Sequence, residues 1–489
     1  MNVRCLALDY GASNGRAILG SFDGKKLSLE ELRRFVNEPV FSFTGMQWNI
    51  LSLFQECIKS LSACNALGEQ SLLSVGIDSF GCDFGLIDRN GHLIGNPYHY
   101  RDKRVDGVIE RNSGLLDGKT LFEMTGNATI KYNTVYQLLA MRPSQSTLLN
   151  NAHTMLLIPD LITYLLTGEK ITEYTNATTT QLMRKTRDTW HEDVLNKFDL
   201  PFAMMPYILQ PGTNVGGISE KVSQNVSIGD VQVVATATHD TASAIAATPG
   251  LNENSVFLSS GTWSLIGIET EKPIVNDDVY ATNFTNEGGL EQKNLLLRNT
   301  VGMWILQECM KEWRSTEKTL SYEQLIGEAQ ACPQFGSVID TEYHDFAYPG
   351  CMPEKVRAYC RRTGQHVPES KAELAHCILE SMAFKYRWCF DNIECIAGRR
   401  LDTLHIVGGG SQNVMLNQFT ANALDRPVIC GPAEATAAGN ILVQLKSFGE
   451  VTSLAQIRQV VRDSFEIQSY MPLDTERWNE AYHRYLQII

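Results

Sequence analysis

Apolar residues along this chain fall into two kinds of stretch. Some are short runs that stop at glycine-containing polar turns, and others repeat at helical spacing. Cys5 to Asp9 is a run of the first kind, interrupted by Tyr10-Gly11-Ala12-Ser13-Asn14-Gly15-Arg16 and resumed at Ala17-Ile18-Leu19. That is the signature of two strands joined by a tight turn. It recurs before Glu269, around the turn Ser259-Ser260-Gly261-Thr262. One hairpin opens each half of the chain, which predicts an α/β protein of two similar lobes, residues 1–243 and 244–489.

The other stretches fill in these lobes. Trp48 to Leu61 places Leu51, Phe54, Cys57, Ile58 and Leu61 at helical spacing, the pattern of a core-packing helix. Leu72 to Ile87 reads as a strand broken by the polar segment Asp78 to Asp83. Leu156 to Gly168 predicts a helix with Pro159 near its start, Asp160 in its first turn and Gly168 at its end. Val231 to Ala237 reads as a strand that delivers His239 and Asp240. Arg298-Asn299-Thr300 looks like the entry to a helix, which would put Asn299 and Gln307 on one face if it ran that far. Ala372 to Ile396 predicts a long helix, and Leu401 to Val407 a buried strand feeding Gly408-Gly409-Gly410. The stretch 333–368 is mixed in polarity and suggests no chemistry.

At 489 residues and 43% hydrophobic, the chain is long enough for two or three domains. Its 55 acidic against 42 basic residues give a net charge of −13, which argues against general binding to nucleic acid or anionic membrane. The N-terminus lacks the flanks of a signal peptide, and no apolar stretch reaches the length of about eighteen residues needed to span a bilayer. A cytoplasmic protein is expected. None of the twelve cysteines forms a C-x-x-C pair, and Cys5, Cys389 and Cys430 sit in apolar segments that suggest buried thiols. Cys360 and Cys377 flank a 16-residue segment and would pair only if the fold brings them together.

Several loops carry residue types suited to chemistry. Amides at the Gly11 turn point one way and can cradle phosphate oxygens, although a plain hairpin turn explains the same residues. Asp9 is placed to hold a metal through water, and Arg16 to meet a terminal phosphate. Gly81 would allow close backbone approach and Asp83 would face a ligand's hydroxyls; a solvated turn is the competing reading. Tyr98, Tyr100, Arg101 and Asp102 are sugar-binding types that are equally common in surface loops. Thr175 to Leu182 is rich in hydroxyls and would line a polar cleft or form a threonine-rich edge. A strand running into three glycines and a helix suits a nucleotide.

Eleven motifs in order make the combination specific: DYGASNGR, GIDSFGCDFGLID, YRDKR, YNTVYQL, LTG, EYTNATTTQL, THDTASA, LSSGTWSL, TNEGG, IVGGGSQN and EATAAGN. Together they resemble the FGGY family of carbohydrate kinases from end to end, and most closely its L-rhamnulose branch. The resemblance implies two actin-like, ribonuclease-H-like lobes with ATP and a ketose in the cleft between them. It implies Asp240 as general base, and a sugar site of Gly81, Asp83, His239, Asp240, Thr241 and Asn299. For the nucleotide it implies Ala12, Ser13, Asn14, Gly15, Arg16, Thr262, Gln307 and Gly409, with Mg²⁺ near Asp9. The expected reaction is phosphorylation of L-rhamnulose at O1.

The chain departs from the L-rhamnulose pattern at Ser79-Phe80, where threonine–tryptophan is usual, and at Asn49, where aspartate is usual. Phenylalanine there matches the L-fuculose branch, so L-fuculose or another ketose stays open as substrate. A protein of another class, a non-catalytic actin-like binding protein, would keep both phosphate hairpins without needing a base at Asp240.

Overall fold

The computed structural model describes residues 2–66, 72–226 and 229–489, and all side chains there except 143–146 and 226. The chain folds into two compact units. The first comprises 1–250, 269–296 and 435–465; the second comprises 251–268, 297–434 and 466–489. The first unit therefore takes back two later segments rather than ending at one cut in the chain.

The first unit is built on a six-stranded sheet in the order Thr213–Gly217, Gln232–Ala235, Ser74–Ser79, Val3–Tyr10, Asn14–Phe22, Leu27–Val36. Val3–Tyr10 pairs antiparallel with Asn14–Phe22 and parallel with Ser74–Ser79. Residues 74–79 are buried without interruption, as a strand covered on both faces requires. One face packs Leu6, Leu8, Tyr10 and Ile77 against Trp48, Leu53, Leu61, Ile158 and Leu161. The other face receives the helix Ala435–Ser447, where Gln444 Nε2 donates to the Leu6 carbonyl at 3.0 Å. Gly439 is required there, because a Cβ would stand 1.9 Å from the Ser243 carbonyl. A separate core gathers Phe84, Val105, Leu121, Tyr136, Leu139, Trp190 and Phe198.

The second unit repeats the hairpin design. Ser255–Ser260 pairs antiparallel with Trp263–Thr270 and parallel with Thr403–Val407, which in turn runs parallel to Val428–Cys430. The helix Lys371–Ala397 is capped by Ser370, whose side chain accepts from Glu373 N, and ends at Gly398 with φ 63°. Its Phe384 packs against Trp478, Tyr482 and Tyr485.

Local sequence signals translate closely in most places. The helix Ile158–Thr167 has its proline in the first turn, and Gly168 closes it at φ 87°. The broken strand appears as Ser74–Ser79 and Phe84–Ile87, the latter paired with Thr154–Leu157 instead. Two expectations are corrected. The helix after Trp48 runs Ile50–Ala66 and buries Ile50, Leu53, Cys57 and Leu61, leaving Leu51 exposed. Asn299 is not helical: it lies on the strand Asn294–Val301, where three consecutive buried leucines are followed by Arg298, Asn299 and Thr300. Gln307 belongs to the following helix Trp304–Thr316, so the two share no helical face. Gly302 separates strand from helix, and a Cβ there would sit 2.6 Å from the Gly261 carbonyl.

Candidate active site

In the first unit the strand ends converge on a group of carboxylates. Asp9 and Asp78 are register partners on adjacent parallel strands. Asp9 is held by Arg16 Nη2 at 2.5 Å across the hairpin. Asp78 is fully buried; its Oδ2 accepts from Asn440, and its Oδ1 has no hydrogen-bond partner among the described residues. Burial first, then the neighbouring Asp9, pushes the Asp78 carboxyl well above the usual range.

The hairpin turn itself is latched from behind. Asn37 Nδ2 donates to the Gly11 carbonyl at 2.8 Å, and Asn37 N donates to the Ser13 carbonyl at 3.2 Å. Ser13 and Asn14 are exposed and Ala12 is half-buried. Gly15 is buried under the Phe35 ring, which lies 2.1 Å from where a Cβ would project. Its place in the sequence is thus a packing requirement.

Asp240 opens the helix Asp240–Ala246. Its Oδ1 accepts from Thr241 N at 2.6 Å and Thr241 Oγ1 at 3.2 Å, while its side chain remains about a third exposed (32%). Burial raises its carboxyl; the adjacent His239 opposes this and Asp9 adds to it. His239 is buried between two carboxylates, with Nε2 3.5 Å from Asp240 and Nδ1 3.2 Å from Glu287. Burial alone would lower the imidazole, but Glu287, then Asp240 and Glu173, hold it above its ordinary value. Glu173 also fixes the segment, accepting from Thr238 N at 3.0 Å and Thr238 Oγ1 at 2.9 Å.

A third feature of this unit is an aromatic wall. Trp48 stacks on Phe80 at 4.8 Å and on His99 at 4.2 Å, and His99 stacks on Tyr100 at 4.5 Å. Phe80 and Tyr100 are half-buried, whereas Trp48 is fully buried. Asp83 does not face outward as the sequence suggested. It is 1% exposed, and its carboxylate accepts from Trp48 Nε1 at 2.6 Å, Gln137 Nε2 at 2.6 Å and Tyr100 N at 3.0 Å. Burial raises its carboxyl to about 6 against those three donors and Arg104. Asp83 therefore organises the wall. Gly81 lies beside it, where a Cβ would meet Thr179 Oγ1 at 2.8 Å. Thr179 Oγ1 also accepts from Cys82 N at 3.1 Å, and Thr178 Oγ1 from Gly288 N at 2.7 Å. The threonine-rich stretch forms neither an edge nor a free lining; its hydroxyls tie loops together.

In the second unit, three glycine-bearing segments meet. The hairpin turn holds Gly261 and Thr262, and Gly261 O accepts from Met303 N at 3.0 Å. Gly408, at φ 83°, and Gly410 press on Ser260; a Cβ on Gly410 would stand 2.0 Å from Ser260 Oγ. Gly409 lies between them with open space around its Cβ position. Ser264 Oγ and Tyr386 OH bond at 2.7 Å beneath the turn. The Gly261 and Gly408 amides are engaged by the Trp263 and Pro432 carbonyls, so the open backbone here is at Gly409, where a phosphate could approach. Thr262 and Asn299 are half-buried, and Gln307 is exposed.

Sequence reasoning gave no role to Asp78, Trp48, Gln137 or Glu287. Asp78 had a readable signal, a carboxylate at a strand end like Asp9. Glu287 lay in the motif TNEGG, but its partner is 48 residues away. Among the described residues no group of three histidine, cysteine or acidic side chains could hold a metal ion. Cys360 and Cys377 are free thiols, close enough to hydrogen-bond each other and Ser337. No described helix is long and apolar enough to cross a membrane.

The chain matches two known domain families. Residues 4–247 match the N-terminal domain, and residues 256–448 the C-terminal domain, of the FGGY family of carbohydrate kinases. It is 40% identical over 482 residues to a rhamnulokinase of Bacteroides thetaiotaomicron, covering 99% of this chain and 98% of that one. A rhamnulokinase of Pectobacterium atrosepticum is 38% identical over 469 residues, 96% of this chain and 92% of its own. Among solved structures, a ligand-bound xylulose kinase from Lactobacillus acidophilus superimposes with a TM-score of 0.81 at 14% identity, covering 99% and 97% of the two chains. Plasmodium falciparum glycerol kinase with ADP gives 0.79 at 14% identity, covering 99% and 98%.

Proposed function

Because the chain belongs to the FGGY family of carbohydrate kinases, we propose that it transfers the γ-phosphoryl group of ATP to O1 of L-rhamnulose, giving L-rhamnulose 1-phosphate and ADP. The observation that carries the choice of sugar is the 40% identity, over nearly the whole of both chains, to a rhamnulokinase. An alcohol is a weak nucleophile, so a carboxylate must take its proton as the oxygen attacks phosphorus. Asp240 is the base: its Oδ1 is fixed by Thr241, and its Oδ2 accepts no hydrogen bond from the described residues. The O1 proton passes to Asp240, a bond forms from O1 to the γ-phosphorus, and the bridging oxygen leaves with ADP.

The remaining roles follow from the loops. In the first unit we assign Gly81 and the aromatic wall behind it, with His239 and Thr241, to the ketose, and Ala12, Ser13, Asn14 and Arg16 to the nucleotide, with Gly15 giving the hairpin its packing. In the second unit, taken by itself, we assign Asn299 to the ketose and Thr262, Gln307 and Gly409 to the nucleotide. The donor set does not fit a resident metal ion: Asp9 is paired with Arg16, and among the described residues no three-ligand group could hold one. Mg²⁺ belongs to this reading as part of the nucleotide substrate, with Asp9 meeting it through water.

The test is ADP release with Mg·ATP against L-rhamnulose, L-fuculose, L-ribulose and D-xylulose, with Asp240→Asn in parallel. A preference for L-rhamnulose that disappears in the variant supports the assignment. A preference for L-fuculose transfers it to the sugar signalled by Phe80, which stacks on Trp48 at the wall. Activity indifferent to every sugar and to the substitution overturns it.

A further inference from the structure

The TNEGG motif supplies one carboxylate that the reaction above does not use. Glu287 lies on the short strand Thr285–Gly288 and is 6% exposed. Its Oε2 stands 3.2 Å from His239 Nδ1. Both atoms are buried and neither makes a hydrogen bond of regular geometry among the described residues, so what joins them is this 3.2 Å ion pair. On the far side of the ring, Nε2 faces Asp240 Oδ1 at 3.5 Å. The three residues thus form a line, carboxylate–imidazole–carboxylate, that ends on the oxygen pair proposed to take the sugar's proton.

We propose that Glu287 is a positioning residue which acts through the His239 ring to hold Asp240 in its reactive orientation and anionic form. The proposal rests on Asp240 being the base. The chemistry is that of a base oriented by a third group. A ring with carboxylates at both nitrogens is satisfied only as the doubly protonated imidazolium, which has a donor at each end. That cation stands against the burial and the Asp9 charge that otherwise favour protonating Asp240. Other charged groups face the line. Glu173 adds to the positive bias on His239, and Arg187 lies near Glu287. Among the described residues Arg187 makes no ion pair, donating to Asn127 Oδ1 at 3.3 Å and the Asn286 carbonyl at 2.5 Å. Asp78 also faces this group: burial, then Asp9 and Asp240, raise its carboxyl. Backbone bonds fix the ring's own segment: His239 N donates to Thr175 Oγ1 at 3.2 Å. The ring orientation is left to Glu287.

The test joins a spectroscopic and a kinetic arm on the full chain. Protein labelled with ¹⁵N-histidine gives the His239 ring signals, assigned by their loss in His239→Gln. The expected result is a ring doubly protonated at pH 7.5 in the wild type and neutral there in Glu287→Gln. In kinetics, Glu287→Gln should lower kcat about tenfold near pH 6.5 and move the acid limb of the kcat profile up by about one pH unit. KM for Mg·ATP should stay within about twofold, and the rate should recover toward the wild type above pH 9. A neutral His239 in the wild type overturns the proposal, even if the variant does not fold. So does a variant whose loss is equal at all pH values, which marks a merely structural role. Failure to turn over L-rhamnulose while another ketose reacts removes the sugar assignment and leaves the Glu287 test intact with that ketose.

Discussion

Asp9 and Asp78 stand side by side at the ends of two parallel strands, yet only Asp9 has a cation: Arg16 pairs with Asp9, while Asp78 is buried with one oxygen unbonded. Burial and the neighbouring Asp9 both disfavour the charged form of Asp78.

A pH prediction follows for Asp78. Its carboxyl is raised above the unfolded value of 3.8, so the folded state binds the extra proton. Such a group contributes its full stability below about pH 4 and loses it as pH climbs toward the raised value. Asp78→Asn keeps an acceptor for Asn440 and removes the titration. The variant should melt above the wild type at pH 8, and the difference should vanish near pH 4, as calorimetry at the two pH values would show.

Asp240→Asn should fold normally and lose at least about 100-fold in kcat, the usual contribution of a positioned base. The amide keeps an oxygen for Thr241 but cannot accept the sugar's proton. Matching melting curves with a collapsed kcat is the expected pair of results; retained turnover would place the base elsewhere.

Asp83→Ala should act on stability and on sugar binding together. It removes the acceptor of the Trp48 indole N–H, of one Gln137 amide N–H (the other keeps the Tyr132 carbonyl) and of the Tyr100 N–H. Each orphaned buried donor costs about 1–3 kcal/mol. The denaturant midpoint should drop, and KM for the ketose should rise more than KM for ATP. Equal changes in both KM values would deny the wall a specific part in holding sugar.

Gly302→Ala tests the second unit alone. Its new methyl meets the Gly261 carbonyl at 2.6 Å and Ser264 Oγ at 2.8 Å, so the turn proposed to meet phosphate must shift. Overpacking of this kind costs about 1–3 kcal/mol. KM for ATP should rise about tenfold or more while KM for the ketose holds, as initial-rate kinetics would resolve.

Much of this molecule was legible where neighbours in sequence set the structure. Pro159, Asp160 and Gly168 mark a helix that begins and ends where they say, because caps and prolines act locally. The two hairpins were readable for the same reason. What escaped were side chains committed to distant partners. Asp83 looks like a loop acid until Trp48 and Gln137 converge on it from 35 and 54 residues away. Asn299 looked like a helix entry because strand and helix differ there only at Gly302, whose need for close approach to Gly261 is a tertiary fact. Likewise His239 was readable as a motif residue, but its second carboxylate was not.

The first unit's dependence on residues 435–465 bears on how the protein is made. Its first strand, Val3–Tyr10, is among the earliest parts to leave the ribosome, and the helix that covers one of its faces, Ala435–Ser447, is among the last. At about 5–20 residues per second, translation leaves that face uncovered for tens of seconds or longer. The Leu6 carbonyl, the bare Gly76 backbone and the Asp78 carboxyl must wait, shielded by chaperones or by provisional packing. A premature stop anywhere before residue 435 therefore spoils the early half of the protein as surely as the late one.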